Sequence, residues 1–121
     1  MLADRLLRAI ERGDLEAIAD CYAPDARIWH NFDQHEQTVE ENLRTLRWMD
    51  KRLKNRKYEV ASRQSFSGGY VQQHVLTGTL ADGQAFRMPA CLVVTVRDGR
   101  IARLEEYLDS AHAQPLRDQK V

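Results

Sequence analysis

Sulfur chemistry is nearly absent from this chain. Two cysteines occur in 121 residues, Cys21 and Cys91, and neither belongs to a CxxC or Cys/His ligand spacing. That argues against a disulfide framework or a zinc site, and two reduced thiols in apolar surroundings are expected instead. Net charge is absent too: 18 Lys and Arg balance 18 Asp and Glu. The long-range attraction that nucleic-acid binding relies on is therefore missing, so no nucleic-acid partner is expected. Neutrality also leaves self-association unopposed by repulsion. No apolar run approaches the roughly 18 residues of a membrane span. The opening Met1-Leu2-Ala3-Asp4-Arg5 is not a basic segment followed by a long apolar one, so a cytoplasmic protein without a membrane segment is expected. Gly-rich phosphate loops, nucleophilic-serine motifs and clustered metal ligands are all missing, and neither a metal nor a cofactor is expected.

What is present suits one soluble domain over residues 1–121. The chain is 43% hydrophobic and 30% charged, enough for a single core and too apolar for disorder. Leu2, Leu6, Leu7 and Ile10 recur at helical spacing and predict a helix over 2–12. Gly13 ends it, and Asp14 can cap a second, short helix whose buried side carries Leu15, Ile18, Ala19 and Tyr22. Pro24 stops that helix, and a short strand is expected over 26–32. Thr38-Val39-Glu40-Glu41 reads as a capping box. It opens a third helix through Val39, Leu43, Leu46, Met49 and Leu53 to about Asn55. The period then changes to two. Strands are expected over 57–66, 70–80, 85–97 and 100–109, broken at Gly68-Gly69, Asp82-Gly83 and Asp98-Gly99. Pro89 inside the third of these implies an edge, a bulge or a bend. Helices followed by an antiparallel meander define an α+β fold. A long bent sheet closing over a helix makes a cone with an internal cavity, a natural small-molecule site.

Three segments carry a family resemblance: Gly13-Asp14-Leu15, Tyr22-Ala23-Pro24-Asp25-Ala26 and Val96-Arg97-Asp98-Gly99-Arg100-Ile101. With them the chain resembles the nuclear transport factor 2-like superfamily over about residues 2–112. Within it, the SnoaL-like branch of polyketide-cyclase relatives is the most similar. The resemblance implies a cone-shaped, cystatin-like fold, with a curved antiparallel sheet packed on three N-terminal helices around a cavity. It does not choose an activity, because that superfamily includes isomerases, cyclases, dehydratases, epoxide hydrolases and proteins without catalysis. Ketosteroid isomerases share the fold and use an Asp base, a Tyr donor and a protonated Asp donor. The resemblance places those three positions at His30, Leu6 and Cys91. A proton-transfer group is retained but changed in type, and both oxyanion donors are replaced, so that steroid mechanism is not expected.

Trp29, His30, Asn31, Asp33 and His35 crowd into seven positions at the end of the predicted short strand. His30 is the leading candidate, because imidazole gives and takes protons near neutrality. Alternation points His30 inward with Ile28, and Trp29 outward. Asp33 could orient it, although a loop Asp is also an ordinary turn residue. His74, in the middle of a strand, must find a polar cavity, an interface or solvent. In one register it faces inward with Leu76 and Gly78. The resemblance to the isomerases puts Glu106 on an inward face with Leu104 and Leu108, where it either acts as an acid or base or forms a salt bridge with Arg87 or Arg103. His30, Asp33, His74 and Glu106 are thus the catalytic candidates. Tyr22, Trp29, Asn31, Tyr58, Phe86, Met88 and Cys91 are the ligand-contact candidates, each of which could equally be ordinary core. Arg44, Arg47, Lys51, Arg52, Lys54, Arg56 and Lys57 form a basic run that complements the dipole at the end of the third helix.

Two functions follow. One is a cofactor-independent isomerase, cyclase or dehydratase acting on a small hydrophobic carbonyl compound, with epoxide opening by activated water as a variant. The other is a non-catalytic binding module or dimerisation scaffold. A small hydrophobic molecule is the expected ligand, and a twofold homodimer is the expected assembly. An enzyme requires two or more of His30, Asp33, His74 and Glu106 to converge on one cavity point.

Overall fold

The computed structural model describes residues 1–120. Its elements run α1 (Leu2–Arg12), α2 (Leu15–Cys21), β1 (Tyr22–His30), β2 (Glu36–Gln37), α3 (Val39–Arg52), β3 (Leu53–Phe66), β4 (Gly69–Leu80), β5 (Ala85–Arg97), β6 (Arg100–Leu108) and α4 (Ser110–Arg117). The short strand begins earlier than 26–32, at Tyr22, so Tyr22 leaves the second helix and Pro24 lies inside β1; other local signals act as the sequence implies. Gly13 takes the left-handed conformation (φ 68°) after α1. Asp14 accepts the Ala17 N–H at 3.1 Å. Thr38 and Glu41 form the reciprocal capping box of α3, with bonds of 2.9 and 3.2 Å.

The six strands form one sheet in the order β2-β1-β6-β5-β4-β3. β3 to β6 are the expected antiparallel meander. The sheet is not wholly antiparallel, however. β1 pairs parallel with β6, matching Ile28 to Leu104 and His30 to Glu106. The helix-bearing crossover from β1 to the meander makes this possible, since parallel neighbours need a long connection. Pro89 lies in the part of β5 that pairs with β4 through Val75 but extends beyond the β6 ladder, which starts at Ala90. The strand is an edge at that point, and a missing N–H costs no ladder bond there.

Two register shifts in β3, between Lys54 and Lys57 and between Val60 and Ser62, bend the sheet. Asn55 takes a positive φ of 57° in the first. The same bend needs Gly78, because a Cβ there would lie 2.6 Å from Leu53 Cδ1. The concave face then packs on the helices. Ile28, Leu76, Leu92, Val94, Ile101 and Leu104 point inward from the sheet to meet Leu6, Ile10 and Ile18. Each such side chain contributes about 1.5–3 kcal/mol by leaving water.

Three expectations are corrected. Helix α3 stops at Arg52 and not near Asn55, because Leu53 already takes an extended conformation and enters β3. Arg56 does not complement the dipole at the end of α3 as one of a basic run. It is buried, paired to Asp50 Oδ1 at 2.6 Å, and bonded to the carbonyls of Ile10, Glu11 and Leu53. It thereby caps the end of α1 and ties it to α3 and β3. Finally, a fourth helix, α4, follows Asp109, whose carboxylate caps the Ala111 N–H at 2.9 Å. Among the described residues no helix is long and apolar enough to cross a membrane.

Candidate functional site

The concave sheet face and helices α1, α3 and α4 enclose a cavity of about 150 Å³. Most of its wall is apolar, including Leu6, Ile28, Met49, Leu76, Leu104 and Leu116. Polar groups enter at a few points: His30, Glu106, His74, Asn42 and Thr45, the polar tips of Tyr22, Tyr58 and Trp48, with Arg117 alongside.

His30 and Glu106 meet because the parallel β1–β6 register sets them side by side. His30 Nε2 lies 3.0 Å from Glu106 Oε1, and their side chains are 14% and 17% exposed. A carboxylate can only accept here, so Nε2 carries the proton and Nδ1 is the ring atom left to exchange one. Burial works against charging His30. The hydrogen bond to Glu106, the Glu106 charge and the Asp33 charge together outweigh it, and the net effect raises the His30 pKa above its ordinary value. Phe32 packs beside the ring at 5.3 Å between centroids, and the Arg117 guanidinium lies 5.2 Å from the Phe32 ring.

His74 comes from β4, inward as in the register that points Leu76 the same way. It is 3% exposed. Its Nδ1 is 2.8 Å from Gln72 Nε2, and Gln72 Oε1 accepts from Arg63 Nε at 2.8 Å. Burial lowers the His74 pKa, Arg63 adds to the fall, and the Glu106 charge opposes it without reversing it. Tyr58 stands edge-on to the imidazole at 5.0 Å. Burial pushes the Tyr22 and Tyr58 hydroxyls up, so both remain neutral at any physiological pH.

His30, Glu106 and His74 therefore share one cavity wall with Tyr22, Tyr58 and Met88. The other candidates lie elsewhere. Asp33 is exposed in the turn after β1, where its Oδ1 accepts the His35 N–H at 3.0 Å; it reaches His30 only through its charge. Asn31 is spent on the backbone, accepting the Leu108 N–H at 3.0 Å. His35 pairs with Glu41 at the surface. Trp29 faces away from the cavity and packs edge-on against Tyr107 at 5.3 Å. Phe86 is buried core and does not line the cavity. Cys91 is also misplaced by the resemblance. It is half-buried and off the cavity wall, while its alternation neighbour Leu92 points in. Leu6 does line the cavity, and it brings no donor. Glu106 uses neither Arg87 nor Arg103, since Arg103 is held by Glu36 and Glu105.

The sequence reading overlooked Gln72, Arg63, Asn42 and all of α4. Two signals were available. Gln72 shares a strand face with His74 two residues on, and Asn42 falls on the apolar helix face of Val39, Leu46 and Met49.

A curved sheet packed on helices around an apolar cavity, with an imidazole–carboxylate pair on its lining, defines a small α+β domain. The chain belongs to the SnoaL-like domain family, whose family model matches residues 3–104. Solved structures share the fold. IdmH of Streptomyces antibioticus, a candidate polyketide cyclase, is 21% identical with a TM-score of 0.83, covering 95% of this chain and 94% of its own. PrhC of Penicillium brasilianum is 13% identical with a TM-score of 0.85, covering 95% and 82%. A protein of ketosteroid isomerase-like fold from Catenulispora acidiphila, in complex with trimethylamine, is 14% identical with a TM-score of 0.78, covering 88% and 83%. At such identities the likeness establishes the fold. No curated protein matches the sequence.

Proposed function

We propose that this SnoaL-like protein binds a small hydrophobic carbonyl compound in its cavity and moves a proton on it by general acid–base catalysis. The observation that carries this reading is the His30–Glu106 pair, 3.0 Å apart on the wall of an apolar cavity. Glu106 holds the Nε2 proton, so neutral His30 takes a substrate proton at Nδ1 and protonated His30 returns it from there. A proton leaves a carbon next to a carbonyl, and an enolate forms. Reprotonation elsewhere gives isomerisation, attack on a second carbonyl gives cyclisation, and loss of a β-hydroxyl gives dehydration. IdmH, a candidate polyketide cyclase, has a related fold, and this direction of chemistry is consistent with it. Asp33 lies outside the cavity, so epoxide opening by a water held between His30 and Asp33 has less support.

A second reading is favoured by the register itself. His30 and Glu106 are ladder partners, so their bond also serves as a bridge between β1 and β6 in a non-catalytic binding module. The test is a screen of small ketones and enols for isomerised, cyclised or dehydrated product, with wild-type protein and His30→Ala. The catalytic reading expects turnover that His30→Ala lowers by about 10²–10⁴-fold with the melting temperature nearly unchanged. A variant that melts early, from a wild type that turns nothing over, supports the structural bridge instead.

A further inference from the structure

His74 and Asn42 both line the cavity, and each has one buried polar atom without a protein partner among the described residues, His74 Nε2 and Asn42 Oδ1. His74 is 3% exposed and Asn42 is 5% exposed. Unpaired polar groups at such depth are costly, and each demands an explanation.

The sense of His74 follows from chemistry alone, and that of Asn42 is set by the orientation of the Gln37 amide. Arg63 Nε only donates, so the Gln72 oxygen must be the atom facing it at 2.8 Å. The Gln72 nitrogen then faces His74 Nδ1 at 2.8 Å and also only donates. Nδ1 must accept, and the single proton of the neutral ring sits on Nε2. Asp4 anchors the far end of this chain, 3.0 Å from Arg63 Nη1. A second chain runs through α3. The Thr45 hydroxyl donates to the Glu41 carbonyl at 3.3 Å. Its oxygen accepts from Gln37 Nε2 at 3.0 Å, and Gln37 Oε1 accepts from Asn42 Nδ2 at 3.1 Å. Asn42 Oδ1 is left as an acceptor. Beside the His30–Glu106 pair and the Tyr22 and Tyr58 hydroxyls, the cavity lining thus carries one unpartnered donor on His74 and one unpartnered acceptor on Asn42.

We infer that the cavity selects a small, mostly apolar molecule bearing both an acceptor of the carbonyl type, met by His74 Nε2–H, and a donor of the hydroxyl type, met by Asn42 Oδ1. Gln72 and Arg63 are positioning residues that hold the His74 tautomer. The volume of about 150 Å³ suits one substituted ring, so a hydroxylated aryl or cyclic ketone is the class. A hydrocarbon leaves both groups unpaired. A carboxylate offers acceptors only and sets its lone pairs against Asn42 Oδ1. The inference deepens the acid–base reading and rests on it only in taking this cavity as the ligand site.

Four near-isosteric probes test it on the wild-type protein by NMR titration: 4-hydroxyacetophenone, 4-methylacetophenone, 4-isopropylphenol and 4-isopropyltoluene. The first should bind tightest and the last weakest, with each matched group worth on the order of tenfold. Asn42→Leu should erase the preference for the hydroxyl and keep that for the carbonyl. A long-range proton–nitrogen spectrum should show His74 protonated at Nε2 and bare at Nδ1, and Gln72→Leu should loosen that tautomer. A flat series, a hydrocarbon that binds best, or a proton on Nδ1 overturns the inference. Binding is read without turnover, so the outcomes separate. An ordered series with no chemistry defeats the acid–base reading alone, whereas chemistry lost with His30→Ala beside a flat series defeats this one alone.

Discussion

His30 and His74 face one cavity with opposite protonation preferences. Glu106 holds His30 toward its charged form, while burial and Arg63 hold His74 neutral. An NMR titration should therefore show His30 titrating above the ordinary histidine value near 6.5 and His74 below it. Glu106→Gln removes the charge that raises His30 and leaves only a neutral amide oxygen to accept from Nε2, so burial should then carry its pKa downward. The linkage to stability has two signs. Because His30 has a raised folded pKa, its contribution is complete below about pH 6.5 and is lost as pH rises through the folded value. Because His74 has a lowered one, its contribution is present above about pH 6.5 and is lost as pH falls. Thermal melts should accordingly show Glu106→Gln costing more stability near pH 6 than near pH 9. Much of this residue-scale picture was legible. Inward alternation paired Ile28 with His30, and the isomerase resemblance paired Leu104 with Glu106. Asp33 and Asn31 misled because they lie at or just past the strand end, where alternation says nothing about direction and turns recruit polar side chains for backbone bonds.

Each element depends on a few contacts that can be removed singly. Thr38→Ala breaks the capping box and should cost about 1 kcal/mol in urea denaturation. Arg56→Met should cost about 2–3 kcal/mol, because it strips charged donors from the carbonyls of Ile10, Glu11 and Leu53 in a buried place. Helix α4 supplies Ala113, Leu116 and Arg117 to the cavity wall. A chain ending at Asp109 should keep the meander by circular dichroism and bind small apolar ligands about tenfold more weakly, as lost buried area implies. The meander was legible because glycine turns punctuate a period of two. Helix α4 was not, since its apolar residues are few and Pro115 stands within it. β2 is two residues long and carries no periodicity.

At the scale of the whole molecule, the candidate site depends on curvature. The bulges of β3 and the close packing of Leu53 over Gly78 bend the sheet into a cone, and the cone holds His30, Glu106 and His74 on one wall. The cone was foreseeable from a long antiparallel sheet following helices. The parallel β1–β6 pairing was not, because a sequence pattern reports which side chains share a face and not which strand lies beside which. Yet that pairing places His30 next to Glu106. The claim that the pair moves a substrate proton is tested most directly by deuterium uptake. Small ketones are incubated with the protein in heavy water, and exchange next to the carbonyl is followed by NMR. Exchange above the buffer rate that His30→Ala or Glu106→Gln abolishes, in variants that still fold and bind, is the predicted result. Exchange at the buffer rate for every ketone that binds, or exchange unchanged in both variants, would contradict it.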